Sequence, residues 1–250
     1  MGFHQIKLNS MLMRSILSCL ICLCFFIHLN IGSRGDQSRW YQECLVRCRP
    51  SCPKIMSAMP LHNRLMLWDC DSECKYSCMR EHVDYCRRNG LPVEQYYGKW
   101  PFIRLFGMQE LFSVLFSLGN LAAQIIGYKR YKERTSHLKI KYWMDSLVWL
   151  AFVANSNGWI WSSVFHCRDY LVTERLDYFS AVLLVMVSTF NAVVRVAKIT
   201  GLGGQILLGL PFILYYLYHI TYLHFVKFDY GYNMAVTMGF GMLFNAIWII

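Results

Sequence analysis

Residues 105–141 read LFGMQELFSVLFSLGNLAAQIIGYKRYKERTSHLKIK, and this stretch decides the class of the fold. Its first part, 105–128, is long and apolar enough to cross a bilayer, which takes about 20 residues as a helix. Its second part, 129–141, carries six Lys and Arg residues against one acid. A basic loop directly after an apolar run is the mark of a cytoplasmic connection between spans. Further apolar runs follow at 142–165, 178–197, 202–225 and 234–250. The whole composition agrees: 56% of the 250 residues are hydrophobic and only 16% are charged, with a mean hydropathy of +0.30, whereas soluble domains carry about 25% charge. The net charge of +10 is therefore a topological signal and not a nucleic-acid footprint. We expect an all-α integral membrane bundle with four full spans and part of a fifth, the first running from the lumen to the cytoplasm.

Upstream of the bundle the chain changes character. Residues 1–35 read as a signal peptide, with Lys7 and Arg14 as its basic region, an apolar core at 16–29, and Ser33 and Gly35 as the small residues of a cleavage site. An uncleaved anchor helix is the other reading, and both deliver residues 36–103 to the secretory pathway. That segment is polar, with ten Lys and Arg against eight Asp and Glu, and holds seven of the 11 cysteines. Cys44, Cys48 and Cys52 form one C-x3-C-x3-C triplet, Cys70, Cys74 and Cys78 a second, and Cys86 comes after them. Spacing of four places each triplet on one helical face. Zinc knuckles favour the tighter C-x2-C, and an oxidising lumen disfavours free thiolates, so disulfides between two short helices are expected. Seven is odd, which leaves one thiol free, paired to another chain, or joined to Cys167.

Ionisable groups at membrane depth are costly and so become functional candidates. Ser162 and His166 stand four apart, on one helical face, and Asp177 follows across a short turn. A hydroxyl, an imidazole and a carboxylate would thus meet at the lumenal boundary. Two chemistries fit the trio: a Ser nucleophile with its His base and Asp orienter, or a zinc site with His as ligand and Asp positioning the metal-bound water. Interfacial side chains satisfied by water and headgroups form the plain alternative.

Several ordered blocks carry a resemblance. Gly35-Asp36 opens the Cys-rich segment, followed by Trp68-Asp-Cys-Asp-Ser-Glu-Cys-Lys-Tyr-Ser-Cys-Met79, Gly98-Lys-Trp-Pro-Phe102 and Gln109-Glu110. Then come Asn157-Gly-Trp-Ile-Trp-Ser-Ser-Val-Phe-His-Cys-Arg-Asp169, Thr173-Glu174, Asp177-Tyr-Phe179 and Lys227-Phe-Asp-Tyr-Gly-Tyr-Asn233. Together they resemble the Per1-like family. The resemblance implies a seven-span Golgi protein that acts on GPI-anchored proteins, removing the unsaturated sn-2 acyl chain of their lipid. It also places the chain in a wider group of membrane hydrolases with the alkaline ceramidases and the progestin and adiponectin receptors. In that group S-x3-H, a following Asp and a distant H-x3-H form a zinc site, so Ser162 and Asp177 would be catalytic and His166 a metal ligand.

The sequence departs from that pattern in two places. The H-x3-H is absent before Ile250, and we expect the 250-residue chain alone to be an inactive, poorly stable, truncated form. His219 and His224, five apart, read as interfacial residues and not as replacement ligands. Leu111 stands where the family's Gln-Glu is followed by Pro. Glu110, Ser113 and Asn120 share a helical face. In the ceramidase branch a carboxylate there helps to hold calcium, while polar contact between helices explains the same face without an ion. The contrasting function is a non-enzymatic membrane factor, receptor-like or binding GPI-anchored proteins, because receptors of the wider group share the bundle.

Overall fold

The computed structural model describes residues 33–138 and 142–249, so the reading of 1–32 as a leader lies outside the described residues. The chain divides into two compact units. Among the described residues the first takes in 33–114 together with His166–Asp169, and the second 115–138, 142–165 and 170–249.

In the first unit a one-turn helix (Arg34–Gln37) leads into α1 (Arg39–Cys48), a 3-10 turn (Arg49–Ser51), α2 (Cys52–Ala58), α3 (Leu61–Leu65) and α4 (Cys70–Arg88). Both long helices begin on side-chain caps: Ser38 accepts from the Tyr41 amide at 3.3 Å and Asp69 from the Ser72 amide at 2.8 Å. Asp71 and Glu73 in the first turn of α4 and Arg87 and Arg88 in its last complement the helix dipole. The triplets pair in antiparallel order, Cys44 with Cys78, Cys48 with Cys74 and Cys52 with Cys70. Spacing of four on both sides of this ladder keeps the three bridges in one seam. Beside it Tyr41, Leu45, Met79, Val83 and Tyr96 complete a small core. A core this size needs covalent support. Cys86 is the unbridged member of the seven, and it is buried; Cys167 is also a free thiol.

Two turns of the same build come next. In 96–99 and again in 105–108, paired backbone bonds of 2.8–3.1 Å close a two-residue loop. The central residues all have positive φ: Tyr97 and Gly98, then Phe106 and Gly107. Gly35 packs beneath the first turn, where an added Cβ would lie 2.5 Å from the Gln95 carbonyl oxygen.

Each of the five apolar runs carries a helix: α5 (Leu111–Thr135), which starts six residues late, after the 105–108 turn, and continues into the expected basic loop, α6 (Asp145–Cys167), α7 (Leu171–Val196), α8 (Leu202–Thr221) and α9 (Tyr230–Ile249). Among the described residues α5, α7 and α8 with its π-helical extension to Val226 are long and apolar enough to span. In α6, 23 residues long, the apolar run is diluted by Asn155, Ser156, Asn157, Ser162 and Ser163. Helix α9 starts four residues before its expected position, because Asp229 Oδ1 accepts from the Tyr232 amide at 3.0 Å and starts the first turn. This gives it 20 residues, the length of a span. In this second unit, Val182, Met186, Phe190 and Val194 recur every four residues on α7 and pack with Tyr232, Val236 and Phe240 of α9. Gly158 allows close packing of α6 on α7, since a Cβ there would stand 3.0 Å from Leu184. Many outer side chains, including Phe116, Ile206, Leu207 and Ile213, are exposed and apolar, as lipid contact requires.

Candidate functional site

His166 ends α6 inside the Cys-rich unit. Residues 109–110 run beside 166–167, with the Gln109 amide donating to the Cys167 carbonyl and the Glu110 amide to the His166 carbonyl, both at 3.1 Å. This pairing brings Glu110 Oε2 to 2.6 Å from His166 Nδ1, with Ser113 Oγ donating to the same oxygen at 3.3 Å. The hydrogen bond from His166 holds the Glu110 carboxyl below its usual pKa. An ionised carboxylate only accepts, so Nδ1 carries the proton and Nε2 is the basic nitrogen of the ring. Spacing alone groups Glu110 with Ser113 and Asn120 on one helical face. In the fold its carbonyl receives the Val114 amide at the start of α5, and its side chain belongs with His166.

The adjoining residues fix this corner. Arg168, 6% exposed, places its guanidinium 3.9 Å from the centroid of Trp68 and donates to Ser72 Oγ at 3.1 Å. Arg104 lies over the same indole at 4.2 Å and grips Glu73 with bonds of 2.7 and 2.6 Å. Lys99 forms an ion pair with Asp169. The Trp68 indole donates to the Gly107 carbonyl at 2.7 Å. Trp68, Ser72, Glu73, Lys99, Arg168 and Asp169 fall in blocks that carry the family resemblance, and periodicity alone could not have singled them out.

In the membrane unit, Ser162 Oγ shares a 3.0 Å hydrogen bond with Ser117 Oγ of α5. Asp177 is 9% exposed and lies two turns into α7, whose start is set at Leu171 by the mutual Tyr170 and Thr173 capping contacts. Nearby on α7, Ser180 accepts from Asn157 Nδ2 at 2.8 Å. A buried carboxylate within a spanning helix is expensive to maintain, which favours a functional role. His219 is fully buried, with Nε2 3.2 Å from Asn233 Oδ1 and Nδ1 without a hydrogen-bond partner. His224 is exposed and its ring nitrogen meets Arg175 at 3.1 Å.

A catalytic zinc site ordinarily uses three protein ligands. Among the described residues no three His, Cys, Asp or Glu side chains are grouped to hold a metal ion. His166 supplies one donor, and its Nδ1 is engaged by Glu110. The described donor set therefore does not fit zinc by itself.

Comparison with known proteins gives the same family. The profile of the Per1-like family matches residues 60–250. The chain is 38% identical over 225 residues to the Protein PER1 homolog of Schizosaccharomyces pombe, covering 87% of this chain and 67% of that protein. It is 31% identical over 248 residues to the Post-GPI attachment to proteins factor 3 of Drosophila melanogaster, covering 95% and 75%. With the GPI-specific phospholipase A2-like PGAP3 of Bos taurus it shares 34% identity over 235 residues, covering 92% and 72%. No solved structure matches. An all-helical membrane bundle, a Cys-rich unit and a profile match over most of the chain lead to one assignment: this chain belongs to the Per1-like family.

Proposed function

We propose that this protein acts in GPI-anchor lipid remodelling as an acyl hydrolase that removes the unsaturated sn-2 chain from GPI-anchored proteins. Relatives named as GPI-specific phospholipase A2-like proteins support the reaction class. The carboxylate–imidazole pair of Glu110 and His166 is the observation that carries it. A base fixed in one tautomer is what ester hydrolysis by water needs. In the reaction, water adds to the ester carbonyl and the bond to the glycerol oxygen breaks, releasing a fatty acid and leaving a hydroxyl on the lipid. His166 Nε2 takes the proton from water, and Glu110 balances the imidazolium. In this proposal Ser162 stabilises charge on the carbonyl oxygen and Asp177 orients the water, the roles that the family pattern implies for them. Zinc, implied by the resemblance, would require donors beyond those described, and no step is derived through it.

The proposed setting is the Golgi membrane, with the Cys-rich unit in the lumen, where three disulfides are stable. The test is complementation of cells lacking their own remodelling activity with the intact protein or its His166→Ala variant, read by mass spectrometry of GPI lipids. Retention of the unsaturated chain with H166A is the expected result, and normal remodelling overturns the assignment. Because a bundle of this kind does not by itself establish hydrolysis, the second reading is a non-enzymatic factor that binds GPI-anchored proteins. An ester-release assay on a diacyl GPI lipid with purified intact protein separates the two, since binding without release supports the second.

A further inference from the structure

We propose that the Cys-rich unit rests on the bilayer through an apolar patch formed by Leu61, Leu65 and Phe106, and that the lipid leaflet entered by α5 is what covers it. The three side chains are 72%, 71% and 73% exposed. Leu61 and Leu65 stand one turn apart on α3 and share its face. The segment carrying α3 is fastened to the 105–108 turn: the Trp68 indole donates to the Gly107 carbonyl at 2.7 Å. Gly107 itself lies so close to His62 and Asn63 that an added Cβ would be 3.1 Å from atoms of each.

Two further observations point to lipid. First, exposed bulky residues occupy backbone positions that a water-facing turn gives to Gly, Asn or Asp. Phe106 has φ +54° in the turn, and Leu67, just beyond α3 and 68% exposed, has φ +58°. Apolar side chains at such sites are disfavoured in water on both counts, and a hydrocarbon interface removes one of them. Second, the patch is tethered to the membrane by sequence. Phe106 precedes Leu111, the first residue of a spanning helix, by five residues, a reach of about 18 Å at full extension. Phe112, in the first turn of that helix and within the same unit, is likewise apolar and 69% exposed. A patch held this close to the first turn of a span has the leaflet within reach at all times.

The experiment places a photo-crosslinking phenylalanine analogue at position 65 or 106 of the intact protein in phosphatidylcholine vesicles, with Val46 of α1, 67% exposed, as comparator. Irradiation should join the analogue at 65 and 106 to phosphatidylcholine at least fivefold more often than at 46, as read by mass spectrometry. In a Phe106→Asn background, where the turn geometry is retained, crosslinking from position 65 should fall severalfold. Equal lipid capture at all three positions, no lipid capture at 65 and 106, or capture of protein in place of lipid each overturns the proposal.

Discussion

Glu110 Oε2 and His166 Nδ1 lie 2.6 Å apart although 56 residues separate them in sequence. The contact exists because 109–110 pair with 166–167 through two backbone hydrogen bonds, which fix the carboxylate beside the ring before any side chain moves. A carboxylate accepting from one imidazole nitrogen fixes the tautomer and leaves the other nitrogen to accept a proton.

Glu110→Ala should therefore reduce GPI-lipid remodelling by about 10- to 100-fold, part of the ~10²–10⁴ that a positioned general base supplies. Glu110→Gln keeps a hydrogen-bond acceptor but not the charge and should fall between Ala and the wild type. Lipid mass spectrometry in complemented cells, normalised to protein level, is the measurement. Wild-type remodelling with E110A would show that the pair only holds the corner together.

Arg168→Lys should destabilise the Cys-rich unit by about 1–2 kcal/mol, because an ammonium replaces neither the planar stacking on Trp68 nor the forked donation. The guanidinium now touches the indole at 3.9 Å and reaches Ser72 Oγ and the Met66 carbonyl. Tryptophan emission followed through thermal unfolding of the oxidised protein reports the change. Arg104→Lys should behave similarly and also lose the two-pronged grip on Glu73. Unaltered unfolding in both variants would contradict a structural role for the cations over Trp68.

Gly35→Ala should cost about 1–3 kcal/mol, since its Cβ would overlap the Gln95 carbonyl and press on the Tyr96 ring. The Gly35 amide also donates to Gln95 at 3.0 Å, and Ser33 Oγ accepts from the Gly98 amide at 2.5 Å. These are the two small residues of the expected cleavage site, and both are held by the folded unit. If a leader is removed, the cut should accordingly fall before Ser33, which N-terminal sequencing of the purified protein will show. A mature chain beginning at Asp36 would contradict this.

Alkaline stability should depend on Tyr41 and Tyr96. Burial, then the nearby Cys86, Glu94 and Asp36, pushes the Tyr96 phenol up to about 12; burial and the Tyr97 hydroxyl raise Tyr41 still further. Unfolded tyrosines lose their protons near pH ~10. The folded state holds its phenol protons longer, so the stability they contribute is fully present below pH ~10 and is lost as pH rises through about 12. For Tyr96 the loss is about 3 kcal/mol. Ultraviolet absorbance of the phenolate should show a late-ionising group of tyrosines that includes Tyr41 and Tyr96, with the titration of these two coinciding with unfolding of the Cys-rich unit and one fewer late tyrosine in Tyr96→Phe. Ionisation of every tyrosine near pH ~10 in still-folded protein would refute it.

The sequence by itself determined what depends on neighbours along the chain. Period, run length and the basic stretch at 129–141 made the helical membrane bundle legible, and each of the five apolar runs carries a helix, although α5 continues through the expected loop to Thr135. The four-residue cysteine spacing made facing helical segments legible, although the first triplet crosses from α1 through a 3-10 turn into α2. Their direction was not, because antiparallel and parallel ladders use the same spacing. The fold decided that Cys44 meets Cys78 and leaves Cys86 unbridged. Helix starts at Leu171 and Tyr230 also escaped the apolar reading, since caps made by Tyr170 with Thr173 and by Asp229 are polar signals. The pairing of Glu110 with His166, the two arginines over Trp68 and the burial of His219 against Asn233 belong to tertiary structure alone. Each joins side chains from separate elements, and local periodicity holds no record of which faces will meet. Amphipathic pattern specifies that a face is buried; only packing selects its partner.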